Sequence, residues 1–193
     1  ESEIILVGKH NLENIAAATI AAGILGCDID SVKAIVKKFP GLPHRLEFVS
    51  EIDNVKYYND SFATNPEPTI AAIRSFNQNK ILILGGSSKG ADFKKLAHEI
   101  TISNVISVIL IGDEANNIYT SLLNEGYAGK IVEKSNDLTD ALRSVKNIAH
   151  QGDVVIFSPA CASFDMFKNY KDRGEQFIKI VKEMDHEQSS QKQ

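Results

Sequence analysis

Between residues 80 and 184, short apolar segments alternate with amphipathic ones, and this alternation constrains the fold more than any other feature. The apolar segments are rich in Val, Ile and Leu, which is typical of buried strands. The sequence predicts strands at 80–84, 106–111, 130–133 and 153–157, and helices at 92–101, 114–125, 137–149 and 165–184. Alternating strands and helices predict an α/β fold, a Rossmann-like, doubly wound, mostly parallel sheet with helices on both faces.

An antiparallel hairpin is predicted ahead of these parallel strands. Residues 46–52 and 55–58 both have strand character, and the pair Asp53-Asn54 between them suits a tight hairpin turn. A polar loop over 59–68 and a helix over 69–76 then lead into the alternating region. The predicted sheet therefore has an antiparallel hairpin at its N-terminal side.

The stretch Pro-Gly-Leu-Pro at 40–43 interrupts the pattern, because no helix can cross it. We expect 1–42 to be the tail of a preceding domain, 43–185 to form the α/β domain and 186–193 to be a disordered tail. The chain opens on Glu1 rather than Met, and we expect it to be a piece of a longer protein.

The segment before this boundary predicts one short strand and two helices. Residues 4–7 have strand character, and Asn11 is placed to cap the first helix. Asp28 or Asp30 is placed to cap the second helix.

Composition excludes several functions. A formal net charge of −4 provides no basic surface for a nucleic acid, and no apolar run approaches the length of a membrane span. Cys27 and Cys161 form no CxxC pair, and the five histidines share no ligand spacing, so we expect no disulfide and no metal held by this chain alone. We therefore expect small-molecule ligands.

Three loops of small and polar residues follow predicted strands, at 59–65, 85–90 and 158–163. In an open sheet of this kind, ligands bind beyond the carboxyl ends of the strands. Three such loops at one edge predict a ligand site. The loop at 85–90 resembles a phosphate loop but does not match GxxxxGK[ST].

Each polar candidate in these regions has a functional and a structural interpretation. Lys89 suits an anionic ligand, or it is a solvated lysine. The guanidinium of Arg45 can bind a phosphate in a bidentate manner, or Arg45 can form a surface ion pair. Asp60 can accept from a ribose hydroxyl or form an Asx turn. Ser163 and Asp165 are placed to cap a helix whose N-terminus could hold a carboxylate or phosphate, or they cap an ordinary strand-to-helix turn.

Five segments in order carry a resemblance to a known family. They are GKHNLENIAAA (8–18), GLPHRLE (41–47), NDSFATN (59–65), GGSSKGADF (85–93) and SPACASFDMFKNYKDRG (158–174). Together they resemble the carboxy-terminal half of a Mur ligase. The last segment resembles the members that add D-glutamate.

The resemblance implies an ATP-dependent, cytoplasmic and monomeric amide-bond ligase of peptidoglycan synthesis, and thus a part in cell-wall formation, cell shape and division. In such a ligase ATP phosphorylates the carboxylate of UDP-N-acetylmuramoyl-L-alanine, and the amine of D-glutamate attacks the acyl phosphate. Residues 1–42 would end the central ATPase domain. The phosphate loop, the Mg²⁺ ligands and the catalytic residues would lie in parts of the ligase that this chain lacks.

Position by position, the resemblance also implies two groups of ligand contacts. The nucleotide would contact Asn11, Asn14, Arg45 and Asp60. D-glutamate would contact Thr64, Lys89, Ser163, Phe164 and Tyr170. Residues 40–43 would be the hinge about which the following domain closes on the nucleotide. Phe62 stands where a lysine is common in the family.

Three alternatives stay open. The first is a sister ligase for another amino acid, and the second is a folylpolyglutamate synthetase of the same fold. The turn at 158–163 argues against both. The third is a non-enzymatic α/β module that binds a nucleotide or an amino acid.

Overall fold

The computed structural model describes residues 4–191 as seven helices and six strands. The helices are α1 (Lys9–Ile24), α2 (Ile29–Lys38), α3 (Pro66–Arg74), α4 (Lys94–Ile102), α5 (Ala115–Asn124), α6 (Leu138–Lys146) and α7 (Tyr170–Gln191). The strands are β1 (Glu47–Ile52), β2 (Val55–Asn59), β3 (Lys80–Gly85), β4 (Val105–Ile111), β5 (Lys130–Ser135) and β6 (Val154–Phe157).

The six strands form one sheet in the order β1-β2-β6-β3-β4-β5. Only β1 is antiparallel to its neighbour, and the other pairs are parallel. The predicted mostly parallel α/β sheet with an N-terminal hairpin is therefore confirmed. The hairpin turn is also as predicted, since Asp53 and Asn54 both have left-handed backbone, with φ of 50° and 61°.

The sheet has a hydrophobic core on each face, which explains the apolar strands of the sequence. Leu82 and Leu84 of β3 face the cluster under α3, α4 and α5, whereas Ile81 and Ile83 face the cluster under α6 and α7. All four side chains are completely buried. Each contributes roughly 1.5–3 kcal/mol by leaving water. A strand buried on both faces does not alternate between polar and apolar residues, and the sequence of β3 shows no such alternation.

Helix α7 begins five residues later than the predicted 165. Its cap is Asn169, whose side-chain oxygen accepts from the backbone N–H of Lys171 at 2.9 Å and of Asp172 at 3.0 Å. The carboxylate of Asp165 instead accepts from the N–H of Asp113 and of Met166. The prediction that Ser163 and Asp165 cap this helix was therefore wrong.

The two ends of the chain also differ from the sequence prediction. Residues 4–7 form no strand, and Asn11 lies inside α1, where its side-chain amide donates to the carbonyl of Val7 at 2.7 Å. Asp28 does cap α2, because its carboxylate accepts from the N–H of Ser31 at 2.8 Å. Helix α7 continues through Gln191, so residues 186–191 of the predicted disordered tail are helical, and 192–193 lie outside the described residues.

Helices α1 and α2 contain no buried residue, although they carry many apolar ones. Ile24 and Leu25 are 81% and 83% exposed at the end of α1. The domain boundary at 42/43 stays a prediction that this exposure supports. No helix in the described part of the chain is long and apolar enough to cross a membrane.

Deleting residues 1–42 should leave a domain that still unfolds cooperatively. Neither α1 nor α2 contributes to the two cores, so the melting midpoint of 43–193 should lie within about 5 °C of that of the whole chain. Calorimetry of the two chains measures this difference. If the shorter chain lacked a cooperative transition, the proposed boundary would be wrong.

Candidate ligand site at the carboxyl ends of the strands

Strand order brings the three predicted loops together. Because β6 lies between β2 and β3, the loops that follow these strands are neighbours at one edge of the sheet. They are also hydrogen-bonded to one another or to the adjacent strand. Asp60 donates its N–H to the carbonyl of Phe157 at 2.8 Å, Gly85 to that of Pro159 at 2.8 Å, and Ser87 to that of Ala162 at 2.9 Å.

Two glycines allow this close approach. Gly85 and Gly86 have φ of +115° and +145°, in the left-handed half of backbone space that glycine favours. A Cβ atom on Gly85 would lie 2.0 Å from the carbonyl oxygen of Ile111, and one on Gly86 would lie 2.2 Å from that of Ala162. Only glycine therefore fits at either position without moving a neighbouring backbone.

Arg173, in the first turn of α7, connects the loop after β2 to the loop after β6. Its side chain is completely buried. Its guanidinium donates to the hydroxyl of Ser61 at 3.0 Å and the carbonyl of Ser61 at 2.8 Å. It also donates to the carbonyls of Cys161 at 3.1 Å and Ala162 at 3.0 Å. Burial lowers the pKa of Arg173 to about 10, so the group stays charged at neutral pH.

The sequence interpretation gave Arg173 no role, although a signal was present. In a helix, positions 173, 177 and 181 share one face. Phe177 and Val181 on that face are completely buried. An arginine on an inward-facing stripe of this kind must be paired or hydrogen-bonded.

The loop that carries Arg45 has an unusual backbone. His44 and Leu46, on either side of Arg45, have φ of 63° and 43°, which non-glycine residues rarely adopt. The N–H of His44 donates to the carboxylate of Glu47 at 2.9 Å, and the N–H of Leu46 donates to that of Asp60 at 3.1 Å. These two bonds hold the backbone on either side of Arg45, and the Arg45 side chain itself is exposed.

Asp60 is buried and is bonded on both carboxylate oxygens. One oxygen accepts from Leu46 N–H, and the other accepts from the Ser158 hydroxyl at 2.6 Å. Burial raises the pKa of Asp60 to about 6, and the hydrogen bonds from Ser158 and Leu46 and the charge of Arg45 oppose this rise. Asp60 therefore connects the Arg45 loop to the carboxyl end of β6.

A cleft of about 950 Å³ opens beside this loop, between α1, α2 and the α/β domain. The residues predicted to contact the nucleotide all line it: Asn11, Asn14, Arg45 and Asp60. Apolar walls come from both sides, with Ile15 and Phe39 on the side of α1 and α2 and Ala71 on the side of the α/β domain. The structure thus brings together four polar residues that are up to 49 positions apart in the sequence.

The five residues predicted to contact D-glutamate lie on the three loops and at the start of α7. Ser163 is buried, while the neighbouring Phe164 is 72% exposed and donates its N–H to the hydroxyl of Ser87 at 3.1 Å. Lys89 is exposed on the loop after β3. Burial raises the pKa of the Cys161 thiol to about 12, and the positive charge of Lys89 is among the effects that oppose this rise. The loop that carries Lys89 is joined to the turn at 158–163 by the hydrogen bond from the N–H of Ser87 to the carbonyl of Ala162.

The other two lie on the side of the loop after β2. Thr64 is half-buried on that loop. The ring of Tyr170, the first residue of α7, packs against Phe62 with 4.6 Å between ring centroids. The carbonyl of Tyr170 accepts from the Ser61 hydroxyl at 2.8 Å. Because α7 starts at Tyr170, any anion at Ser163 would contact an irregular loop rather than a helix N-terminus.

Comparison with known proteins identifies the family of the chain. The family model described as "Mur ligase, glutamate ligase domain" matches residues 44–161, more than half of the chain. The UDP-N-acetylmuramoylalanine–D-glutamate ligase of Caldanaerobacter subterraneus subsp. tengcongensis is 39% identical over 94% of this chain. The ligase of the same name from Alkaliphilus metalliredigens is 41% identical over 93%. This chain spans about 40% of the length of these relatives.

Solved structures show the same fold at low sequence identity. The UDP-N-acetylmuramate-alanine ligase of Thermotoga maritima has a TM-score of 0.65 and is 17% identical, over 93% of this chain and 39% of that one. The folylpolyglutamate synthase of the same organism has a TM-score of 0.56 and is 19% identical, over 81% of this chain and 37% of that one. The match of the family model over residues 44–161 shows that the chain belongs to the Mur ligase family.

Proposed function

We propose that this chain is the carboxy-terminal part of a ligase that adds D-glutamate to UDP-N-acetylmuramoyl-L-alanine at the expense of ATP, in the cytoplasm and as a monomer. The observation that carries the proposal is the single cleft lined by Asn11, Asn14, Arg45 and Asp60. The names of the relatives that are about 40% identical support D-glutamate over other amino acids.

The nucleotide side of the site follows from the chemistry of these four residues. The side-chain amides of Asn11 and Asn14 can both donate and accept, which suits the edge of a base or a ribose. Arg45 brings a delocalised cation whose fork matches phosphate oxygens. An ionised carboxylate has about four acceptor sites, and two of those on Asp60 are used internally. The remaining sites can accept from a ribose hydroxyl.

The amino-acid side needs groups that hold two carboxylates and leave the amine free. Lys89 can pair with one carboxylate, and the hydroxyl of Ser163 with nearby backbone N–H groups can bind the other. Fixing both ends orients the amine toward the acyl phosphate, and positioning of this kind is a main source of rate in such reactions. Phe164 and Tyr170 would cover the amino acid and exclude water from the hydrolysable acyl phosphate.

The Mg²⁺ that accompanies ATP is usually bound by the phosphates, by waters and by one or two carboxylates. Among the described residues, no three His, Cys, Asp or Glu side chains are arranged to hold a metal ion. We assign the protein ligands of this Mg²⁺ to the part of the ligase that precedes this chain, as the resemblance implies.

The proposal is tested by ligation assays on the uninterrupted ligase and on the 193-residue chain alone. The uninterrupted enzyme should form ADP and amide product with D-glutamate, and should discriminate against L-glutamate, L-alanine and L-lysine. The 193-residue chain should form neither product, since it lacks a phosphate loop. Ligation of a different amino acid in preference to D-glutamate would show a sister ligase instead. Ligation by the short chain would contradict the division of the site.

Lys89→Ala and Ser163→Ala should both raise the KM for D-glutamate in the uninterrupted ligase and leave the KM for ATP nearly unchanged. Loss of Lys89 leaves a carboxylate unpaired in a closed site, which costs about 2–5 kcal/mol. Loss of the Ser163 hydroxyl costs less, about 0.5–1.5 kcal/mol, because backbone donors remain. Lys95→Ala removes an exposed charge from α4, outside the three loops, and is the matched control. A raised KM for ATP in Lys89→Ala would make Lys89 a phosphate contact.

The unfolding free energy of the chain should depend on the protonation of Asp60. Because burial raises the pKa of Asp60 from 3.8 to about 6, the folded state holds this proton more tightly than the unfolded state does. Its contribution to stability is therefore complete below pH 4 and is lost as the pH rises through about 6. Asp60→Asn carries no ionisable group at this position. Its stability relative to wild type should therefore rise by about 1–3 kcal/mol from pH 4 to pH 7. Urea titrations at several pH values measure the difference, and a difference that does not change with pH would contradict the assignment.

A further inference from the structure

Four side chains form a continuous series of contacts, here called the stack, that runs from the buried ring of His44 to the cleft. The ring of His44 lies 6.1 Å from that of Tyr170, edge to face, and the ring of Tyr170 lies 4.6 Å from that of Phe62. The guanidinium carbon of Arg45 then lies 4.3 Å from the centre of the Phe62 ring. His44 is buried and Arg45 is exposed. The stack therefore has an anchored end and an end in the cleft.

Phe62 also holds Arg45 through the backbone. Its N–H donates to the carbonyl of His44 at 3.0 Å, one residue before Arg45. The strained backbone of His44 and Leu46 is held by Glu47 and Asp60. Phe62 thus contacts both the chain that leads into Arg45 and the guanidinium head. Of these contacts, only the one to the head depends on the ring.

A cation over an aromatic face is attracted by the quadrupole of the ring. A long arginine side chain loses much conformational freedom when a ligand immobilises it, and a side chain that is already ordered loses less. A lysine at position 62 would instead place a second positive charge beside Arg45. In this chain the neighbour of Arg45 is the Phe62 ring, which attracts the Arg45 guanidinium and carries no positive charge that would compete with it for an anion.

We infer that Phe62 is a positioning residue, whose ring holds the Arg45 guanidinium in the cleft in the orientation that binds the phosphates of the nucleotide. This inference rests on the proposed function, which supplies the nucleotide. It assigns Phe62 to the ATP side of the site, although its ring also touches Tyr170 on the amino-acid side.

The test is a double-mutant cycle in the uninterrupted ligase, with Phe62→Leu, Arg45→Ala and the double variant. Phe62→Leu keeps an apolar side chain and the backbone hydrogen bond but removes the ring, and should raise the KM for ATP about two- to fivefold. In the Arg45→Ala background the same change should have no further effect, because the group it positions is absent. Phe62→Tyr keeps the ring and should resemble wild type. The KM for D-glutamate should be unchanged throughout.

A second measurement, by NMR, does not require ligase activity. In the 193-residue chain, the NMR signals of the Arg45 side-chain protons should be displaced by the ring current of Phe62. Phe62→Leu should remove this displacement and Phe62→Tyr should preserve it. Melting midpoints of the variants show whether the fold is intact.

The outcomes separate the two proposals. If wild type ligates D-glutamate but the effects of Phe62→Leu and Arg45→Ala are additive, Phe62 does not act through Arg45 and the inference is wrong. A changed KM for D-glutamate with an unchanged KM for ATP would also overturn it, as would the absence of a ring-current displacement in wild type. If wild type catalyses no ATP-dependent ligation, the proposed function fails first, and this inference fails with it.

Discussion

The ligand site depends on one buried cation, the guanidinium of Arg173. Removing such a charge from water costs several kcal/mol unless hydrogen bonds replace its hydration. Four bonds to Ser61, Cys161 and Ala162 provide this replacement. Three of the four acceptors are backbone carbonyls, so the interaction fixes the path of the chain more than the position of any side chain. The loops after β2 and β6 consequently hold their shape without a ligand.

The late start of α7 follows from the same interaction. A helix beginning at 165 would take in Asp165, whose carboxylate accepts from the N–H of Asp113 in the loop after β4. Instead the turn at 158–163 bonds across to Gly85 and Ser87, and Arg173 bonds back to two of its carbonyls. Asn169 then supplies the cap that Ser163 does not. Tertiary contacts therefore account for the absence of a helix start at 165, and the local cap at Asn169 sets the start at Tyr170.

This explains how far the sequence alone could predict the molecule. Short runs rich in apolar residues located every strand of the sheet to within two residues, because a strand buried on both faces, such as β3, is apolar along most of its length. Asp53-Asn54 predicted its turn for a local reason, since both residues tolerate left-handed backbone. The start of α7, the role of Arg173 and the stack on Phe62 were not predicted. Each depends on partners that are distant in sequence. The spacing of positions 173, 177 and 181 indicates that Arg173 is buried, but it does not identify the groups that Arg173 bonds.

The charged residues of the site fall into two groups, those that are buried and hydrogen-bonded within the domain and those that are exposed. Arg173 and Asp60 are buried and bonded within the domain, so moving either toward a ligand would break bonds that maintain the loops. Arg45 and Lys89 are exposed, so their charges can pair with a ligand anion without that loss. Arg45 differs from Lys89 in one respect, since an aromatic ring already lies against its head. A flexible lysine can follow a small amino acid, whereas in-line phosphoryl transfer requires a cation in a fixed place. Arg45, which an aromatic ring already orders, therefore suits the nucleotide, and the exposed Lys89 suits the amino acid. This edge of the sheet would bring these two ligands together.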